Sequence, residues 1–185
     1  NPAMIEVQSL SASFVGLTLS NVILDDAGMH EGTVFAQAVS GDGNADNTVY
    51  VQDAIIASNA TVPCTVTLGS GAVLRNFGGM SAVRATDQAK IVMERGSVIE
   101  DNLPGYTRTK GPATGSVGPA GAIWLQGGTL VMEEGSKIQN MDSRGVYADG
   151  GKVEIGGAIS NIAANKNAMW QENVGIAIHL RNYAE

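Results

Sequence analysis

Gly121-Ala-Ile-Trp-Leu-Gln-Gly-Gly-Thr-Leu-Val-Met-Glu-Glu-Gly-Ser-Lys-Ile-Gln-Asn140 is the stretch whose reading decides the fold. Leu130 and Met132 alternate with their neighbours, Gly127-Gly128 and Gly135-Ser136 punctuate the run, and Asn140 follows the last corner. The pattern returns at Gly145-Val-Tyr-Ala-Asp-Gly-Gly-Lys-Val-Glu-Ile155. Trp124, Tyr147 and Trp170 lie 23 residues apart, as do Leu130, Val153 and Ile176, and Met132, Ile155 and Ile178. A unit this short cannot bury its own apolar side, so repetition implies a stack of similar coils rather than a layered globule.

Earlier in the chain the step is 25 residues, from Val66 to Ile91, Leu68 to Met93, Gly71 to Gly96, Leu74 to Ile99 and Asn76 to Asp101. Within each unit the apolar residues alternate, which is the period of a strand with one buried face. Glycine corners end each strand, where a sharp turn demands backbone conformations that glycine adopts without penalty. Strands one unit apart run in the same direction, so their pairing is parallel. The expected fold is all-β: a right-handed, three-sided parallel β-helix of about 23–25 residues per coil, forming a single domain over residues 1–185.

A second signature follows the Gly-Ser corner: Gly71-x-x-Leu-x-Asn76, Gly96-x-x-Ile-x-Asp101 and Gly135-x-x-Ile-x-Asn140, with an echo at Ile159-x-Asn161. Asn and Asp at one corner of successive units predict turn chemistry and a side-chain ladder. The first third is less regular. Phe14 to Leu24 reads as strand, corner, strand, and Thr33-Val-Phe-Ala and Thr48-Val-Tyr-Val-Gln resemble further strands. Residues 103–120 hold three prolines, four glycines and three threonines, and they stretch the step from Ile91 to Leu130 well beyond that of the other units. That segment is expected to leave the stack as a loop insertion, a common carrier of function on regular scaffolds.

Composition agrees with narrow, layered packing. Hydrophobic residues make up 44% of the 185, aromatics only 5% and charged residues 16%, so the interior must be filled by Val, Ile, Leu, Met and Ala. The net charge of −7, with no clustering of Lys and Arg, argues against nucleic acid as a partner. No apolar run is long enough to span a bilayer. The single Cys64 lies in an alternating run and reads as a small buried hydrophobe. The chain starts at Asn1-Pro2, which suggests a processed or excised piece of a longer protein.

The run Gly-Ala-Ile-Trp-x-x-Gly-Gly-Thr-Leu-x-Met-x-x-Gly-Ser-x-Ile-x-Asn resembles the repeats of right-handed parallel β-helix regions in large bacterial cell-surface, adhesin-like proteins of the pectin-lyase-like fold. The resemblance is strongest over Val66 to Asn161. It implies a secreted or cell-surface setting and partners that are glycans or host-cell-surface proteins, with the module itself a monomer. A fold shared by enzymes, adhesins and stalks does not choose among them.

Polysaccharide-degrading relatives of that fold would need catalytic groups. Asp25-Asp26 is the one paired carboxylate, but Asn-Thr-Asp and Gly-His-Gly motifs are missing, and Arg108-Thr-Lys110 falls in the insertion. Arg84 and Asp87 are the nearest match to a lyase site and read as ordinary surface charges. His30 and His179 neighbour no nucleophile pattern. The sequence therefore favours a non-catalytic adhesive or spacer module, with a pectate lyase-like or polygalacturonase-like enzyme as the alternative.

Two sets of candidate ligand residues remain. Trp124, Tyr147 and Trp170 alternate outward if Ile123, Val146 and Met169 face inward, forming a row about 4.8 Å apart that could stack on sugar rings or cover a sheet face. Asp42, Asn44, Asp46 and Asp53 have the oxygen spacing of a calcium loop, although the sixth place holds Asn47 instead of glycine. Calcium is the one cofactor the residues suggest, and its role there is to stiffen a loop.

Overall fold

The computed structural model describes residues 3–9, 15–25, 53–59, 62, 64–77, 81–101, 121–142, 144–163, 175–182 and 184. They form strands, turns and bends with no helix. The strands are β1 (Ala3–Ser9), β2 (Val15–Leu19), β3 (Ile23–Asp25), β4 (Asp53–Asn59), β5 (Cys64–Leu68), β6 (Val73–Arg75) and β7 (Ser81–Met93), followed by β8 (Val98–Glu100), β9 (Gly121–Met132), β10 (Lys137–Asp142), β11 (Arg144–Asp149), β12 (Lys152–Ile155), β13 (Ala158–Ala163) and β14 (Ile176–Arg181).

Every pairing among them is parallel, as the repeat predicts. One sheet runs β1-β4-β7-β9-β11-β14, with β2 and β5 joined through the second half of β7 and with β12 against β9; a second runs β13-β10-β8-β6-β3. The long β7 therefore serves two rows. Its first part pairs with β4 and its last part with β5, and the register shifts between Asp87 and Lys90.

Three rows of aliphatic side chains follow from that register. Ile5, Ile55, Val83, Ile123 and Val146 form the first; Leu17, Val66, Ile91, Leu130 and Val153 the second; Leu24, Leu74, Ile99, Ile138 and Ile159 the third. All three belong to one interior, which includes only one aromatic, Phe77, among the described residues. Each fully buried Ile or Leu contributes roughly 1.5–3 kcal/mol by leaving water. This is why alternation, and not charge or aromatic content, governs which side of each strand points inward.

Corners are set by left-handed backbone. Asn76, Asp101, Asn140 and Asn161 all have positive φ, between 52° and 64°. Nδ2 of Asn161 donates to Oδ1 of Asn140 at 3.1 Å, and Nδ2 of Asn76 donates to Oδ1 of Asp25 at 2.7 Å. Of the ladder expected from the recurring Asx residues, the bond between Asn140 and Asn161 is present, while Asn76 turns to Asp25, which is outside that series. At another corner Gly127 has φ +80°, and a Cβ there would lie 2.7 Å from the carbonyl oxygen of Asp87. Backbone rows pass so closely at that corner that no side chain fits. The Gly-Ser corners are closed by Ser97 and Ser136, whose buried hydroxyls donate to the carbonyls of Glu94 and Glu133, each at 2.7 Å.

One register differs from expectation. The constant step equates Ile176 and Ile178 with Val153 and Ile155, but β14 lies beside β11, with Val146 opposite Ile178 and Tyr147 opposite His179. The chain takes a longer path between those two strands than the repeat supposes. The error has a physical source: Val146-x-Ala148 and Val153-x-Ile155 both present alternating aliphatics, so periodicity alone cannot tell which row a later Ile-x-Ile joins. The strand expectations at 33–36 and 48–52 and the insertion 103–120 lie outside the described residues.

Candidate binding face

The outward positions of the first sheet build one row across four neighbouring strands. Arg84 on β7 pairs with Trp124 on β9, Trp124 with Tyr147 on β11, and Tyr147 with His179 on β14. Their chain neighbours Ile123, Leu125, Val146 and Ala148 are in the interior, so strand alternation sends these four side chains to the opposite face.

The row is a cation–aromatic ladder. The Arg84 guanidinium carbon lies 5.6 Å from the Trp124 ring centroid, and that of Arg144 lies 5.5 Å from the Tyr147 ring. Both distances fall within the range where the ring quadrupole attracts a cation. His179 meets Tyr147 edge-on, with ring centroids 5.0 Å apart and planes at 77°. Nε of Arg144 donates to Nδ1 of His179 at 3.1 Å, and a guanidinium nitrogen of Arg181 donates to the Tyr147 hydroxyl at 3.2 Å.

Although the row faces away from the interior, much of it is covered. Trp124 is 7% exposed, Tyr147 2% and Arg144 4%. The indole Nε1 of Trp124 is buried and has no hydrogen-bond partner among the described residues. The ring faces are thus packed against protein rather than presented to solvent. Trp170, the third member of the expected aromatic row, lies outside the described residues, and the position beside Tyr147 belongs to His179.

Arg84 and His179 escaped notice as members of this row. Their signal is only their register with Trp124 and Tyr147, at two unequal steps along the chain, which a search for a constant step passes over.

Most of the other candidates cannot be placed on this face. Asp42, Asn44 and Asp46 lie outside the described residues, while Asp53 opens β4 opposite Ala3. Asp26, His30, Arg108 and Lys110 are likewise outside them. Asp25 is held by Nε of Arg75 at 2.7 Å and by Asn76. Asp87 occupies a corner with φ 59° and accepts from the Thr86 hydroxyl at 3.3 Å. Among the described residues no three His, Cys, Asp or Glu side chains converge as a metal site, and no helix is long and apolar enough to cross a membrane.

Cys64 is fully buried, and burial pushes its thiol above the ordinary value while a backbone hydrogen bond works against that shift. Its Sγ lies 3.5 Å from the carbonyl oxygen of Ser58. The chain matches no known protein family, curated protein or solved structure.

Proposed function

We propose that the chain is a right-handed, three-sided parallel β-helix of about 23–25 residues per coil, acting as a non-catalytic module of a secreted or surface-attached bacterial protein. Its first role is that of a rigid spacer, with adhesion to a glycan or host protein as the second. One observation carries the reading: three aliphatic rows run in parallel register through a common interior, so bending an inner strand such as β7, β9 or β11 disrupts neighbours on both sides. The coverage of Trp124 and Tyr147 favours the spacer role over an open sugar platform, since a sugar stacks only on an accessible ring face. The ion pair between Asp25 and Arg75 supports a structural use of the nearest catalytic candidate.

A glycan array compares the unaltered chain with Trp124→Phe and Trp170→Ala variants. The expected result is that neither substitution changes any binding seen. Loss of binding with an unchanged circular dichroism spectrum would restore the aromatic platform. A lyase and hydrolase assay on uronic-acid polymers addresses the enzyme alternative, and turnover abolished by Asp25→Asn would overturn the non-catalytic reading. Calcium held by Asp42, Asn44, Asp46 and Asp53 would stiffen their segment, and calorimetric titration with calcium tests this.

A further inference from the structure

His179 on β14 accepts a hydrogen bond that only its neutral form can accept. Nε of Arg144 on β11 donates to its Nδ1 at 3.1 Å. Arg144 is buried, and a guanidinium stays charged at any pH a folded protein meets. Protonation places an N–H on both nitrogens of an imidazole, so Nδ1 would then turn a donor and a positive charge toward that guanidinium. The acceptor is lost and repulsion replaces it.

The strands packed most closely on β14 are β11 and β13. Strand β11 brings the titratable or charged groups Arg144, Tyr147 and Asp149, β13 brings none, and β14 itself adds Arg181. Arg181 donates to the Tyr147 hydroxyl at 3.2 Å and stands in register with Asp149, whose carboxylate accepts from Nδ2 of Asn182. The Tyr147 ring attracts cations, but the Arg144 guanidinium already lies 5.5 Å from its centroid. On these three strands an imidazolium at His179 would be a third cation beside a single carboxylate.

We propose that the junction between β11 and β14 is an acid-sensitive catch: β14 is held while His179 is neutral and loosens when the ring is protonated. An ordinary imidazole takes up its proton near pH about 6.5. The folded chain holds the neutral ring, whereas the unfolded chain accepts either form. The stabilisation from this contact is therefore complete above that pH and is lost as pH falls below it. His179 is half-buried, so solvent protons reach it.

Amide hydrogen exchange of the whole chain at pH about 7.5 and about 5.5, corrected for the intrinsic rate, tests this. The expected result is a loss of protection of about tenfold across β14 at the lower pH, with β9 unchanged. His179→Asn, whose amide oxygen accepts from Arg144 without titrating, keeps β14 protected at both values, and His30→Gln leaves the loss in place. An NMR titration of the unaltered chain supplies a reading that needs no variant: the His179 ring takes up its proton at lower pH in the folded chain than in urea. Arg144→Gln, which removes the facing charge, moves that midpoint upward. Protection of β14 that ignores pH, a loss that persists in His179→Asn or vanishes in His30→Gln, a folded midpoint at or above the one in urea, or a midpoint indifferent to Arg144→Gln would overturn the proposal.

Discussion

Arg144 and His179 are joined by a hydrogen bond of 3.1 Å from Nε of the arginine to Nδ1 of the imidazole. The bond fixes the tautomer: Nδ1 carries a lone pair, and any proton on the ring sits at Nε2. It also ties β14 to β11 through side chains, in addition to the backbone ladder.

Replacing His179 by Phe keeps a ring beside Tyr147 but removes the acceptor. Leaving the buried Arg144 one acceptor short costs about 1–3 kcal/mol. Urea denaturation measures the loss, and His179→Asn, which supplies an amide oxygen, should regain part of it. Equal stability of the Phe and wild-type proteins would show that the hydrogen bond contributes nothing.

Trp124 offers the opposite case. Its indole N–H is buried without a described partner, so Trp124→Phe removes an unmet donor while keeping most of the ring. The change is expected to be neutral within about 1 kcal/mol, whereas Trp124→Ala costs about 3–5 kcal/mol through lost packing. Thermal melts of the pair separate the two contributions.

Asn140 sits at φ 55° and accepts from Asn161. An alanine must hold the left-handed conformation at a cost of about 1–2 kcal/mol, which glycine avoids. Asn140→Ala should therefore lower the denaturation midpoint more than Asn140→Gly. Equal losses in the two variants would mean that the side-chain ladder, which both remove, and not the corner's backbone sets the stability of this turn.

Burial raises the Cys64 thiol, so the folded state favours the protonated form more than the unfolded chain does. The associated stability is complete below the ordinary thiol value of 9.0 and declines as pH rises above it, where the unfolded chain ionises first. Native protein should resist a thiol-reactive chromophore at pH 8 and react on unfolding. Replacing the residue with alanine should remove this alkaline component of the stability curve. Rapid labelling of the folded protein would contradict the buried position.

The parallel all-β architecture was legible because it rests on local rules. Val66, Ile91, Leu130 and Val153 declare their common row by alternation and step, and Asn76, Asp101 and Asn140 announce a left-handed corner by residue type. Such features depend on two or three neighbouring residues and on the preference of Asx and glycine for positive φ, so they survive without knowledge of the fold.

Tertiary structure alone decided which outward residues share a row and whether solvent reaches them. Tyr147 neighbours His179 because the chain returns to that row by a longer path than the constant step supposes. Loop length is not encoded in strand periodicity. Trp124 and Tyr147 alternate away from the interior, yet they are buried, since burial is a property of everything that packs on a face and not of the strand that builds it.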